Sequence, residues 1–283
     1  MFSANHILPV LLLCAASSTA QVSEHTAELK FDRTKATIET RFDPPAAFRW
    51  IKEEPGSFAD FLIAFPLHPP GFPVRDHTGL PISRQNHHAA LLNIDVGAKD
   101  LQQCADAWIR LYAEYLWANK RFADIGFEFT DGTYFSWKDF SEGWRTKQRG
   151  KKVTLMETGK TDNSYAAFRK YLETIFVYAG TISIDRESRP VTSNDEIRPG
   201  DFLVKPGSPG HLVFIVGSAK NGSGKKLYLL AEGFMPAQDI HILVNHENPK
   251  ISPWYELDID AAETKTAKYT FVPTVVKRFH ALR

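Results

Sequence analysis

Residues 198–217 read R-P-G-D-F-L-V-K-P-G-S-P-G-H-L-V-F-I-V-G, and no other stretch constrains the chain as much. Pro199 and Gly200 make a turn, an extended run starts at Asp201, and the segment from Pro206 to Gly210 turns again. The apolar run 212–216 that follows is too short for a buried helix and is bounded by glycines, so it reads as a core strand. His211 opens that strand. A histidine in that place stands at the edge of a rigid sheet, beside a loop where a substrate can approach. The question it raises is whether the chain supplies a nucleophile to match.

The bulk composition narrows the classes. A net charge of +1 gives no drive toward nucleic acid, and 43% hydrophobic residues over 283 positions suffice for one large packed domain. The basic run 145–152 reads as a solvated turn. At the N-terminus, apolar residues 7–16 followed by Ser17, Ser18, Thr19 and Ala20 match a secretory signal cleaved after Ala20, although its leading segment carries only His6. Lipidation at Cys14 is the lesser alternative, because Leu13 is large for that processing. No later stretch approaches the ~18 apolar residues of a membrane span. The expected product is exported, periplasmic or extracellular, with no integral membrane segment after signal cleavage. Cleavage also removes Cys14 and leaves Cys104 as the sole cysteine, which cannot form an internal disulfide.

Segment by segment, residues 21–56 form an N-terminal extension whose first part, to Thr40, is a loosely held arm. Residues 57–283 form a single α+β domain with an insertion at 122–192. Ser57 caps a helix over 58–65, and four prolines keep 66–76 irregular. Residues 87–96 read as a strand, on which His87 and His88 point to opposite faces and share no ion. The clearest helix is 101–121, with Asp100 as N-cap and Gln103 completing the box. Leu101, Cys104, Trp108, Leu111 and Tyr115 make its apolar stripe, and Asp106, Arg110 and Glu114 run along another face. A strand at 125–130, a helix at 136–145 and a helix at 164–179 ending at Gly180 follow. Strands at 212–216, 226–231 and 238–244 form an antiparallel meander, with a further strand at 268–272. Neither a phosphate-binding loop nor a zinc spacing is present, so no cofactor and no metal are expected.

Chemistry is expected where the helix starts. Cys104 lies in the first helical turn, where unpaired amides and the macrodipole favour a thiolate. His211 is the candidate base. Glu232, ending the next strand of the meander, or Gln238 would hold the imidazole. Gln102 and Gln103, with the amides at the helix start, would bind an oxyanion. The plainer reading makes Cys104 a small core hydrophobe and His211 a turn residue. His241 and His246 read as surface residues of the last hairpin.

Two resemblances rest on these residues. Residues 95–116 (DVGAKDLQQCADAWIRLYAEYL), 178–184 (YAGTISI), 200–211 (GDFLVKPGSPGH) and 235–243 (MPAQDIHIL) resemble a family of exported Bacteroidota-type proteins catalogued as a domain of unknown function, which implies no activity. More remotely, Cys104 leading a helix, then Gly200-Asp201 and a strand led by His211, is similar to the NlpC-like papain-fold cysteine amidopeptidases. Here Gln103-Cys104-Ala105 replaces the usual Asp-Cys-Ser/Gly, and a long insertion separates helix from strand. That second resemblance implies a papain-like core, a buried helix packed on an antiparallel sheet, with Cys104 as nucleophile and His211 as base. The function expected is cysteine-dependent hydrolysis of amide bonds in cell-wall peptide or another envelope substrate. The alternatives are a non-catalytic envelope binding protein on the same fold and an acyl transferase.

Overall fold

The computed structural model describes residues 36–282. The signal-like segment, Cys14 and the arm up to residue 35 lie outside the described residues. Where the description begins the chain is already packed. Thr37 caps α1 (Ile38–Arg41), whose Ile38 is fully buried, so the described part of the expected arm is held and not loose. Next, β1 (Arg49–Trp50) pairs with Lys220 and Ala219. Ser57 starts α2 (Phe58–Ile63), its hydroxyl accepting from the Asp60 N–H at 3.1 Å, as the sequence predicts.

The strand β2 (His88–Leu91) precedes the central helix α3 (Cys104–Ala118). The insertion then contributes a hairpin of β3 (Gly126–Glu128) and β4 (Tyr134–Ser136), the short α4 (Trp137–Ser141), and a second hairpin of β5 (Trp144–Arg149) and β6 (Lys152–Glu157). The expected helix over 136–145 thus stops at Ser141. Gly143 takes φ +107, a backbone state that breaks the helix, and Trp144 enters a strand instead. The basic run forms most of the β5–β6 hairpin. After it come α5 (Tyr165–Tyr178), α6 (Thr181–Arg186) and β7 (Ser188–Pro190). Gly180 does not end α5 as C-cap; Ala179 does, and Gly180 begins α6.

The remaining strands are β8 (Phe202–Lys205), β9 (His211–Lys220), β10 (Lys226–Glu232), β11 (His241–Leu243), β12 (Trp254–Tyr255), β13 (Thr264–Lys265), β14 (Thr270–Phe271) and β15 (Val276–Phe279). One nine-stranded antiparallel sheet runs β2-β11-β10-β9-β8-β15-β7, with β1 added to β9 and β12 to β10. The chain is therefore a mixed α/β protein dominated by antiparallel sheet, and β9, β10 and β11 form the expected meander.

Both faces of the sheet are covered, and the pleat divides the residues between them. Leu212, Phe214 and Val216 join the core built on α3, whereas Val213 and Ile215 join a second core with Tyr228, Leu230, Tyr255 and Phe271. From Ala105 to Trp117 every residue of α3 is buried, Asp106, Arg110 and Glu114 included. Those three do not line a solvated face; Arg110 is paired inside with Glu114 at 2.7 Å and Asp95 at 3.1 Å. Trp108 donates to the Gly200 carbonyl at 3.0 Å, which ties α3 to the turn before β8. Among the described residues no helix is long and apolar enough to cross a membrane.

Candidate active site

The sheet's central strands and α3 meet at one end. There β9 begins, β10 ends and α3 starts, and the approach is close: a Cβ on Gly233 would lie 2.8 Å from the Gln103 carbonyl oxygen. Only glycine at 233 lets the helix start sit down on the sheet.

Cys104 is the first residue of α3. Its N-cap is Gln103, whose N–H donates to Asp106 Oδ2 at 3.2 Å. Asp100, expected in that place, is drawn away by a partner distant in sequence: its Oδ1 accepts from the Ala237 N–H at 2.7 Å and from Gln103 Nε2 at 3.1 Å. The Cys104 sulfur reaches the backbone beside His211, with Sγ 4.0 Å from the Gly210 carbonyl oxygen. Burial pushes its thiol up to about 11, the nearby Asp106 carboxyl adds to this, and amides including that of Leu212 oppose it. At neutral pH this sulfur is a protonated thiol, not the thiolate that a helix start alone would favour. Asp106 is itself raised well above the carboxylate range by burial.

His211 opens β9 and is 4% exposed. Its Nε2 lies 2.8 Å from Glu232 Oε2 at the end of β10. The ring packs against Tyr269, Phe234 and Phe271, with centroid separations of 4.8, 5.3 and 6.0 Å. Tyr269 and Phe271 belong to the second core, so the imidazole is turned toward the face away from α3, and no hydrogen bond joins it to the Cys104 sulfur.

Glu232 is fully buried. Burial works to raise its carboxyl, but the hydrogen bond from His211 leads the opposing effects and holds it well below the usual range. On its other side Oε1 is 3.4 Å from His241 Nε2 and 3.2 Å from Lys268 Nζ.

A family comparison adds to this geometry. Residues 38–278 match the model of the family described as domain of unknown function 4846. The chain belongs to that family. No curated protein and no solved structure matches the chain. DUF4846 therefore spans α1 through β15, covering the residues before Ser57 as well as those after it.

Within this DUF4846 domain the expected residues divide. Cys104, His211 and Glu232 gather at one sheet end. Gln238 is not the partner of His211: its Nε2 donates to the Pro236 carbonyl at 3.1 Å, and its buried Oε1 is without a partner. Gln103 spends its side-chain amide on Asp100. Gln102 turns into the α3 ion network, accepting from Arg110 at 3.0 Å, with Nε2 buried and unpartnered. These engagements correct the expectation that both glutamines serve an oxyanion. His241, expected on the surface, is fully buried beside Glu232. Its strand is three residues long and gives too little alternation to read a face. Lys268 was invisible in sequence, since it arrives from a turn 36 residues beyond Glu232. His87 does not pair with His88; its Nδ1 lies 3.1 Å from His246 Nε2. Among the described residues no group of three or more metal-ligating side chains converges. A concavity of about 650 Å³ lined by Tyr228, Tyr255 and Lys226 includes none of the expected catalytic residues.

Proposed function

We propose that the chain is a cysteine-dependent hydrolase of amide bonds, exported from the cell and acting on cell-wall peptide or another envelope substrate through a papain-like, NlpC-like arrangement. The observation that carries this reading is the buried 2.8 Å contact between His211 and Glu232 at the sheet end where Cys104 starts α3. It is the bond of a base to the group that orients it. Glu232 occupies Nε2, which leaves Nδ1 for the proton of the thiol. The export part of the reading is supported by the residue pattern of positions 1–20 alone.

In the reaction, His211 Nδ1 takes the Cys104 proton as Sγ attacks the substrate carbonyl carbon. The tetrahedral oxyanion is met by main-chain amides at the start of α3. Its collapse breaks the C–N bond, and the imidazolium returns its proton to the leaving amine. Water, deprotonated by His211, then cleaves the thioester to release the acid and restore the thiol. An acyl transferase differs only in the nucleophile that takes the acyl group. Because the resting thiol is neutral, the sulfur depends on the base and is not reactive by itself. The ring must also come within reach of Sγ, and catalytic contacts commonly tighten only when substrate is bound.

A second reading, an envelope protein that binds peptide without turnover, is favoured by the half-buried, protonated thiol and by the ring turned to the second core. Incubation with a library of envelope peptides, followed by mass spectrometry of the intact protein, separates the two. The hydrolase gives an acyl adduct on Cys104 and cleaved peptide, both lost in Cys104→Ala. Peptide that binds with neither adduct nor cleavage supports the binding protein and rejects the hydrolase.

A further inference from the structure

Glu232 has more basic neighbours than one carboxylate requires, and their hydrogen bonds show which of them carries the charge. His211 Nε2 lies 2.8 Å from Oε2. Lys268 Nζ lies 3.2 Å from Oε1, 3.1 Å from His241 Nε2 and 4.5 Å over the Phe234 ring. A lysine ammonium has donors only, so His241 Nε2 must accept from it. The proton of His241 then sits on Nδ1, which donates to the Asp239 carbonyl at 2.8 Å. His241 is accordingly neutral, with both nitrogens committed. Lys268 Nζ stands 3.2 Å from Glu232 Oε1 as an ion pair, and that buried oxygen makes no hydrogen bond.

We propose that Lys268 is the counter-ion of Glu232 and thereby keeps His211 neutral, with its proton on Nε2 and the lone pair of Nδ1 free. Lys268 is thus a positioning residue that acts through Glu232, and its value to catalysis rests on the reading of His211 as base. A carboxylate with no other cation stabilises the imidazolium beside it, and such a histidine has no lone pair left to take a thiol proton. A lysine already paired with the carboxylate removes that pull. Its place is held by the turn between β13 and β14, where the Thr266 hydroxyl donates to the Tyr269 carbonyl at 3.0 Å. The cation lies over the Phe234 ring, a contact that favours charge there.

The other groups facing His211 do not substitute for it. Tyr269 packs on the ring from the same turn. Lys205 is its register partner on β8 and is exposed, so water screens its charge. Cys104, behind the strand on α3, is a neutral thiol at physiological pH.

Imidazole nitrogen NMR on the full chain tests this without any substrate, with the His211 resonances assigned by their loss in His211→Gln. In the wild type at pH 7, His211 should show a protonated Nε2 and a bare Nδ1. In Lys268→Met its titration midpoint should move upward by roughly one pH unit, the scale expected for losing one nearby charge. Lys268→Arg should restore the wild-type midpoint, and adding Glu232→Gln to Lys268→Met should abolish most of the displacement. Lys268→Gln, closer in length, serves the same purpose if the methionine variant is unstable. A midpoint that stays in place when the lysine charge is removed overturns the proposal. A midpoint that moves in a protein without Cys104-dependent turnover sinks the hydrolase and leaves the counter-ion standing; an unmoved midpoint with turnover does the reverse.

Discussion

Two buried polar clusters lie on either side of the site, and they are built from different chemistry. Between α3 and α5, Arg110 and Arg169 face Asp95 and Glu114, with Tyr165 donating to Glu114 at 2.7 Å. Guanidinium groups stay charged at every accessible pH, so the cations of that cluster are fixed and their ion pairs hold the helix. On the other side of the sheet, Glu232 is met by two imidazoles and one lysine. Imidazoles change state near neutral pH. The contrast separates a cluster of fixed cations from one that, on the proposed function, moves a proton. The proposed base would depend on both, because a base is useful only where its backbone does not shift.

If this contrast is right, the largest loss of stability comes from the arginine side. Arg110→Met leaves Glu114 buried with its nearest remaining cation, Arg169 Nη1, at 3.9 Å, and should cost about 3–5 kcal/mol in urea unfolding. A loss below about 1 kcal/mol would mean the network is not what fixes α3. Glu232→Gln should cost less, about 2 kcal/mol at pH 7, since a neutral amide can still bond His211. Its pH dependence is distinctive. The carboxyl is held below its ordinary value of 4.5 in the folded chain, so its contribution is present above 4.5 and drains away as pH falls. The gap between wild type and variant should therefore narrow from pH 6 to pH 3.

Glu187 supplies the opposite sign and sharpens the comparison. It accepts the Glu128 N–H at 3.0 Å, and burial pushes its carboxyl up to about 7. A raised acid contributes stability below its ordinary 4.5 that is lost as pH rises through 7. Glu187→Gln should match the wild type near pH 4 and be more stable by about 1–2 kcal/mol at pH 8. Equal stability at both values would show that no such strain is present. The smallest effect belongs to an exposed pair. Lys225→Ala breaks the 2.8 Å bridge to Glu256 and should change thermal stability by less than about 0.5 kcal/mol.

What could be read from sequence follows the range of the interactions concerned. The strand headed by His211 was legible because turn residues and a short apolar run are local signals. Ser57 as a cap was legible for the same reason. Asp100 was misread as the cap of α3 because its real partner is the Ala237 amide, 137 residues on. Trp144 fell at helical spacing from Trp137 and Phe140, yet Gly143 turned the chain before periodicity could decide. In the site, the contact of His211 with Glu232 followed from neighbouring strands of a meander. His241 and Lys268 did not, since one lies on a strand too short to show a face and the other comes from a distant turn. The buried state of Asp106, Arg110 and Glu114 was hidden because their spacing is equally that of a solvated face.

The proposed hydrolysis depends most on whether His211 acts on the Cys104 sulfur. The rate of Cys104 alkylation by iodoacetamide, followed from pH 5 to pH 10 in the wild type and in His211→Gln, measures this directly. If the imidazole takes the thiol proton, the wild type reacts at pH 7 at least about tenfold faster than the variant, whose rate climbs only toward the thiol's own value near 11. Superimposable profiles for the two proteins would contradict it.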